Sequence, residues 1–314
     1  MQTCRIPNSD LEVSRIGYGC MHLSHAWDDE PVSAGEISAA LKIVGSAVEL
    51  GITLFDHADI YARGKSELLF GLALRQMPEL RDRIVLQSKC GIRFADDPQA
   101  GAPGRYDFSR EHILRSVEGS LRRLRTDRLD ILLLHRPDPL AQPAEVASAF
   151  DELQRSGKVR HFGVSNHSAS QISLLRKYVD QPLVVNQIEL SLLHHQPISE
   201  AILVNQSDVP HAGATGLLDY CRENDILVQA WSPLAGGRLS GATATLAAQL
   251  AQARGVTAEA ILLAWLLKHP APIQPIVGTT HPERLAGSCQ ADTIELTRED
   301  WYSLLAAVRG APAP

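Results

Sequence analysis

Three apolar runs in this chain each end in one titratable side chain. Asp56 closes the run 51–55, Lys89 closes 83–88 and His135 closes 129–134, with Tyr61 in the loop just after Asp56. A carboxylate at the end of a buried run is costly unless a cation meets it, and Lys89, in the same context, is the candidate. Taken singly, each residue could merely cap its strand; taken together, the four make a chemical group. An ammonium beside a phenol favours the phenolate and draws the tyrosine pKa down from its usual value of about 10. Asp56 would hold Lys89 charged and in position, while His135 would orient a carbonyl oxygen or share its proton. The product is a tuned acid suited to protonating an oxygen as negative charge develops on it. Developing alkoxide implies a carbonyl carbon accepting a nucleophile. No activated serine or cysteine stands out, so hydride is the candidate, and hydride requires a nicotinamide because side chains cannot supply it.

Elements that would bring these ends together can be read from the hydrophobic periodicity. Residues 3–15 suggest a hairpin turning at Pro7-Asn8-Ser9-Asp10. A strand follows at 15–21, then the capping-box pattern Ser33-Ala34-Gly35-Glu36, which opens a helix with Ile37, Leu41, Val44 and Val48 on one face and Gly51 at its end. The strands carrying Asp56, Lys89 and His135 alternate with helices at 66–76, from Ser109 (Ile113, Val117, Leu121 and Leu124 inward), and from Pro143 to near 157. A polar loop with Gly and Pro spans 90–108, a length more often functional than accidental.

The second half keeps this rhythm. Strands are expected at 159–164, ending in Ser165-Asn166, at 183–188, containing Gln187, at 226–231 and at 272–277. Ser168–Gln171 is a further capping box; helices are expected at 216–224, 239–254 and 258–269, from Pro282, and after Thr297 with Trp301, Leu304, Leu305 and Val308. The stretch 189–215 has no regular pattern. Eight short apolar strands, nearly all followed by a helix, predict a parallel sheet covered by helices. Eight units favour a single α/β domain over 1–314 built as a (β/α)8 TIM barrel rather than an open doubly wound sheet. The absence of GxGxxG after the first strand also argues against a Rossmann domain. In such a barrel the active site lies at the C-terminal strand ends, where Asp56, Lys89 and His135 are expected.

Bulk composition narrows the partners. A chain of 314 residues with 45% hydrophobic content is ample for a packed core. With 30 basic and 36 acidic residues the net charge is −6, which favours neither nucleic acid nor an anionic membrane surface. The five cysteines are scattered, without CxxC or zinc spacing, so a reduced, cytoplasmic setting is the expectation. No signal-peptide pattern opens the chain, and no apolar run approaches a spanning helix. His194 and His195 are adjacent, but no third ligand has convincing spacing, so no metal is assigned.

This constellation resembles the aldo-keto reductase family, in its bacterial NADP-dependent oxidoreductase branch, over nearly the whole chain. The family's Asp followed five residues later by Tyr is matched by Asp56 and Tyr61. Its catalytic Lys is matched by Lys89 in Ser88-Lys89-Cys90-Gly91, and its catalytic His by His135 in Leu134-His135-Arg136-Pro137-Asp138. Gly157-Lys158-Val159-Arg160-His161-Phe162-Gly163-Val164-Ser165-Asn166 resembles the fifth-strand signature. The resemblance implies a barrel whose N-terminal β-hairpin plugs the floor, with extra C-terminal helices. It implies NADP(H) as cofactor, Tyr61 as general acid and a small-molecule carbonyl as substrate, with a monomer as the family's commonest state. Ser165, Asn166 and Gln187 would hold the nicotinamide carboxamide, and Trp231 would stack on the ring. Ser232, Leu234 and Gly236 would line the pyrophosphate path, with Arg238 as a phosphate contact. Gly278, Thr279, Thr280 and Arg284 lie in the segment that resembles the reader of the adenosine 2′-phosphate. Two positions depart: His57 replaces a common Thr, and Gly287-Ser288 stands where many members have Glu-Asn.

Two other functions remain open at this point. One is a nicotinamide-binding sensor or accessory protein with little turnover. The other, more distant, is a metal-dependent barrel hydrolase using His57 and His135. Substrate walls are expected from Trp27, the 90–108 loop, the 189–215 stretch and the C-terminal tail.

Overall fold

The structure is a computed structural model of the chain and describes residues 1–203 and 216–314. Its strands are β1 (Thr3–Arg5), β2 (Glu12–Ser14), β3 (Gly17–Gly19), β4 (Leu54–Asp56), β5 (Val85–Cys90), β6 (Ile92–Arg93) and β7 (Arg105–Tyr106), followed by β8 (Leu129–Leu134), β9 (Val159–Ser165), β10 (Leu183–Glu189), β11 (Leu227–Trp231) and β12 (Ile273–Val277). Eight of them close into a barrel in the order β10-β11-β12-β3-β4-β5-β8-β9, and every pairing within it is parallel. This is the (β/α)8 architecture expected from the eight strand–helix repeats.

Alternation along each strand explains why polar groups meet inside. Successive side chains point to opposite faces. In β8, Leu132 and Leu134 pack outward against the helices, while Ile131 and Leu133 belong to a separate inner cluster. In β5, Leu86 and Cys90 join the outer core and Val85 the inner one, so Gln87 and Lys89 fall on the inner face. In β4, Phe55 points out and Leu54 in, which makes Asp56 the last inward residue. The antiparallel hairpin β1-β2 contributes Ile6, Leu11 and Val13 to the same inner cluster as Leu54, Val85 and Ile131. It therefore fills the barrel floor as a plug, and the polar ends are left at the opposite mouth.

Helix boundaries follow their caps. Ser33, Ser168 and Thr297 each form a reciprocal capping box, with Glu36, Gln171 and Asp300. Ser109 accepts from the His112 N–H. Gly51 follows the first helix in a left-handed conformation, φ +81°, which suits a residue without Cβ. The C-terminal helix Arg298–Arg309 is pinned by Trp301, stacked on Trp265 at 5.1 Å, each indole N–H donating to the other's carbonyl.

Three expectations are corrected. The first barrel strand is Gly17–Gly19 rather than 15–21, because the chain turns at once into a 3-10 segment, Cys20–Leu23. The 90–108 loop is not wholly irregular: Ile92 pairs with Tyr106 and Arg93 with Arg105 in β6-β7, too short a pairing to leave a periodic signal. The 189–215 stretch contains a helix, Gln196–Leu203; its remainder, 204–215, lies outside the described residues.

Candidate active site

Lys89 lies at the centre of the group. Its Nζ donates to both carboxylate oxygens of Asp56 at 2.7 Å, to the His57 carbonyl at 2.9 Å and to the Tyr61 hydroxyl at 3.0 Å. Lys89 is 1% exposed and Asp56 3%, a depth at which either charge alone would be strongly unfavourable. Burial by itself lowers the Lys89 pKa, but attraction to Asp56 and Tyr61 outweighs it and the net shift is upward, so the ammonium persists. Tyr61 begins a 3-10 turn, Tyr61–Gly64, in which Ala62, Arg63 and Gly64 all have positive φ. That tight turn folds the phenol back over the strand end it has just left.

His135 follows β8, and its ring meets Tyr61 edge-on, with centroids 5.9 Å apart. Burial, with the charges of Lys89 and Arg136, holds its pKa well below the ordinary value, so the imidazole is neutral. Tyr61 corrects an expectation. Burial raises its pKa above 10.0, and the opposing pull of Lys89 does not overcome it. Sequence shows the neighbouring ammonium but not the dryness around the phenol.

Beneath these groups lies a layer of glutamines. Gln87 Nε2 donates to Asp56 Oδ1 at 2.6 Å and to Gln229 Oε1 at 2.8 Å. Gln187 Nε2 bridges the same two acceptors at 3.1 and 3.0 Å. Gln229 Nε2 donates to Gln274 Oε1 at 2.9 Å, and Gln274 Nε2 to the Ser14 carbonyl at 2.7 Å. Sheet register sets this up, since Asp56 is paired with Gln87, Gln187 with Gln229 and Gln229 with Gln274.

A cavity of about 890 Å³ opens above this layer, a size in the range of small-molecule and cofactor sites. Asp56, Tyr61 and His135 lie in its wall, with Trp27 at one side. Ser165, Asn166, Gln187 and Trp231 line the same cavity. The Ser165 hydroxyl donates to the Gln187 carbonyl at 2.9 Å. The Asn166 amide donates to the His135 carbonyl at 3.1 Å and to the Ser165 hydroxyl at 2.9 Å, and its oxygen accepts from the Trp231 indole at 2.9 Å. Trp231 is thus held by its edge, leaving its ring face for other contacts. Ser232, Leu234 and Gly236 continue the wall. Gly278, Thr279 and Arg284 form another part of it, and the Arg284 guanidinium has no ion pair among the described residues.

Other expected groups are not brought in. Arg238 is exposed, its Nε donates back to the Ala235 carbonyl at 2.9 Å, and it is absent from the cavity wall. His57 is 0% exposed, lies edge-on to Phe70 at 4.7 Å and does not line the cavity that His135 faces. Of the histidine pair, His194 faces Glu189 at 3.8 Å and His195 bonds Ser199 at 2.6 Å. Among the described residues no three His, Cys, Asp or Glu side chains are grouped to hold a metal ion. Among them, too, no single helix is long and apolar enough to cross a membrane. Sequence reasoning missed Arg136 and Glu259, both on the cavity wall. Arg136 directly follows His135, a signal available in the sequence; Glu259, in the first turn of a Thr257-capped helix, left none.

A donor set of this kind fits a nicotinamide dinucleotide. Amide and hydroxyl groups gather around an aromatic face beside the polar cluster, and an unpaired arginine stands in the same cavity. Comparison with known proteins agrees. The sequence model of the Aldo/keto reductase family matches residues 15–309. The chain is 39% identical over 315 residues, 97% of each protein, to "Uncharacterized oxidoreductase YcsN" of Bacillus subtilis (strain 168). It is 39% identical over 306 residues, 96% of each protein, to a "6-dehydroglucose reductase" of Agrobacterium fabrum. The crystal structure of an aldo/keto reductase from Klebsiella pneumoniae with NADP and acetate superposes with a TM-score of 0.76 at 28% identity, covering 100% of this chain and 97% of that one.

Proposed function

This chain belongs to the aldo/keto reductase family, and from that premise we propose that it reduces an aldehyde or ketone to an alcohol with NADPH, Tyr61 serving as general acid. The observation that carries this is Lys89 Nζ joining Asp56 at 2.7 Å to the Tyr61 hydroxyl at 3.0 Å in the wall of the large cavity. NADPH would supply the hydride. The protein's part is positional and electrostatic. The Tyr61 hydroxyl and the neutral His135 would meet the carbonyl oxygen and polarise it. Tyr61 would give up its proton as the alkoxide forms, and Lys89, kept charged by Asp56, would stabilise the phenolate left behind. A phenol whose pKa is raised by burial keeps its proton at rest and gives it up to the more basic alkoxide.

Ser165, Asn166 and Gln187 would hold the carboxamide and Trp231 the ring face. Ser232, Leu234 and Gly236 would follow the pyrophosphate. Gly278, Thr279 and Arg284 would receive the 2′-phosphate, for which Arg284 is free to make two parallel bonds. The relative described as a 6-dehydroglucose reductase supports including a sugar aldehyde among the substrates tried.

The test is a panel of aldehydes, ketones, quinones and a hexose 6-aldehyde, followed by NADPH absorbance, with Tyr61→Phe alongside. Reduction should fall by orders of magnitude in the variant while NADPH binding stays near normal, because proton donation acts in the transition state. Equal turnover by both proteins would end the assignment of Tyr61. Cofactor binding without turnover on any substrate would return the sensor alternative.

A further inference from the structure

Arginines withdrawn from solvent in this fold are tied down. Arg81 meets Asp130, Arg93 meets Asp97 and Asp107, Arg123 meets Glu67, and Arg254 meets Asp300. Arg136 is the exception. It is half-buried, yet among the described residues it has neither a hydrogen bond nor an ion pair. Its guanidinium stands over the Trp231 ring, 5.7 Å from the guanidinium carbon to the centroid.

The position of Arg136 is equally particular. It follows His135 directly and lines the main cavity. It also lines an adjoining cavity of about 360 Å³, together with Asn166, Ser168, His194 and Glu189. A guanidinium held part-way out of water and given no acceptor among the described residues is a binding group in waiting. Its planar fork matches a carboxylate with two parallel bonds.

The charges around it limit what that anion can be. Lys89 is neutralised by Asp56. Glu189 faces His194 at 3.8 Å and makes no ion pair with Arg136, but it adds negative charge to the second cavity. One unpaired cation with a carboxylate close by suits a monoanion better than a phosphate dianion.

We propose that the carbonyl substrate carries a carboxylate, bound by Arg136 where the two cavities join, with the substrate's body reaching over Trp231 into the second cavity. This rests on the carbonyl-reductase reading above and names its substrate class. The carboxylate takes no part in the chemistry. Arg136 acts on specificity, by anchoring the end of the substrate remote from the reacting carbon.

The decisive pair is 4-carboxybenzaldehyde against its methyl ester, which differ at the remote group by charge. With the native protein and NADPH, the acid should have the higher kcat/KM, by roughly tenfold or more, the scale of a charge-assisted bond. Arg136→Met should bring the acid-to-ester ratio close to one, chiefly through KM for the acid, and Arg136→Lys should keep part of the preference. Glyceraldehyde 3-phosphate set against glyceraldehyde tests the dianion, and a larger preference there would overturn the carboxylate assignment. So would an acid-to-ester ratio near one in the native protein, or the same ratio in native and Arg136→Met proteins. Calorimetric binding of 4-(hydroxymethyl)benzoate to the NADP-loaded proteins needs no turnover. If no aldehyde is reduced but this anion binds the native protein and not Arg136→Met, the carbonyl-reductase reading fails and the anion site stands. If the anion binds both alike, the site is refuted whatever the turnover.

Discussion

Replacing His57 by leucine should stabilise the fold, and should do so more at acid pH than at neutral pH. His57 is 0% exposed, and neither Nδ1 nor Nε2 has a hydrogen-bond partner among the described residues. Each orphaned polar group deep in a protein costs about 1–3 kcal/mol. An apolar side chain of similar size removes both, less about 1 kcal/mol for imperfect packing against Phe70. A gain of about 1–5 kcal/mol at neutral pH is therefore expected. Protonation adds a second term. Burial, and then the charge of Lys89, lowers the His57 pKa from 6.5 to about 3. Between those values the unfolded chain binds a proton that the folded chain cannot, so stability falls as pH drops from 6.5 towards about 3. At pH 5 this single group would account for roughly 2 kcal/mol, at about 1.4 kcal/mol per pH unit below its unfolded value. Urea unfolding of both proteins at neutral pH and at pH 5 measures the difference directly. The advantage of His57→Leu should grow by roughly 2 kcal/mol at the lower pH. A pH-independent difference would mean that the imidazole titrates normally. A loss of stability at both pH values would mean that its nitrogens are satisfied.

Three further outcomes follow from the site. Lys89→Met should abolish most carbonyl reduction and also destabilise the protein by roughly 3–5 kcal/mol in urea, because it leaves the Asp56 charge buried without its cation; turnover loss with unchanged stability would contradict the observed depth of the pair. Arg284→Ala should weaken NADPH binding by about 1.5–3 kcal/mol and leave NADH binding nearly untouched, as titrated by fluorescence; equal losses for both cofactors would make Arg284 structural. Arg238→Ala should leave NADPH affinity within about twofold, since that guanidinium turns back on its own loop and carries none of the roughly 1.5 kcal/mol or more of a charge-assisted phosphate contact; a tenfold loss would restore it to the phosphate path.

The legible features are those that period and punctuation encode. Capping boxes at Ser33 and Ser168, the glycine stop at Gly51 and eight apolar runs were enough to specify the barrel. Asp56, Lys89 and His135 were legible because each falls at the last inward position of its strand or just beyond it, where period-two alternation sends it into the mouth. What escaped depends on tertiary placement. The β6-β7 pairing is two residues deep and has no period to detect. Arg238 occupies a position in the chain that resembles a phosphate contact, and the bond of its Nε–H to the Ala235 carbonyl depends on a local turn that no period announces. Trp231 reads as a stacking ring from its position, but its edge contact with Asn166 requires knowing that strands β9 and β11 flank β10.

Glutamines show how the same alternation carried a signal that was passed over. Gln229 and Gln274 each interrupt an otherwise apolar strand at an inward position, Gln87 lies inward two residues before Lys89, and no isolated strand explains why these buried amides should sit there. The explanation lies in the two ends of the network. Asp56 is an acceptor, and so is the Ser14 carbonyl. A chain of amides running between two acceptors can have only certain donor directions. Gln274 must turn its nitrogen to Ser14, Gln229 must turn its nitrogen to Gln274, and the oxygen of Gln229 is then left facing Gln87 and Gln187. Gln187 therefore finds acceptors on both Asp56 and Gln229, and both of its amide hydrogens are directed into the barrel. Its oxygen is what remains for the cavity that Gln187 lines. Asp56 thus does more than hold Lys89: through the same oxygen it determines that Gln187 presents an acceptor, the partner that a carboxamide N–H requires.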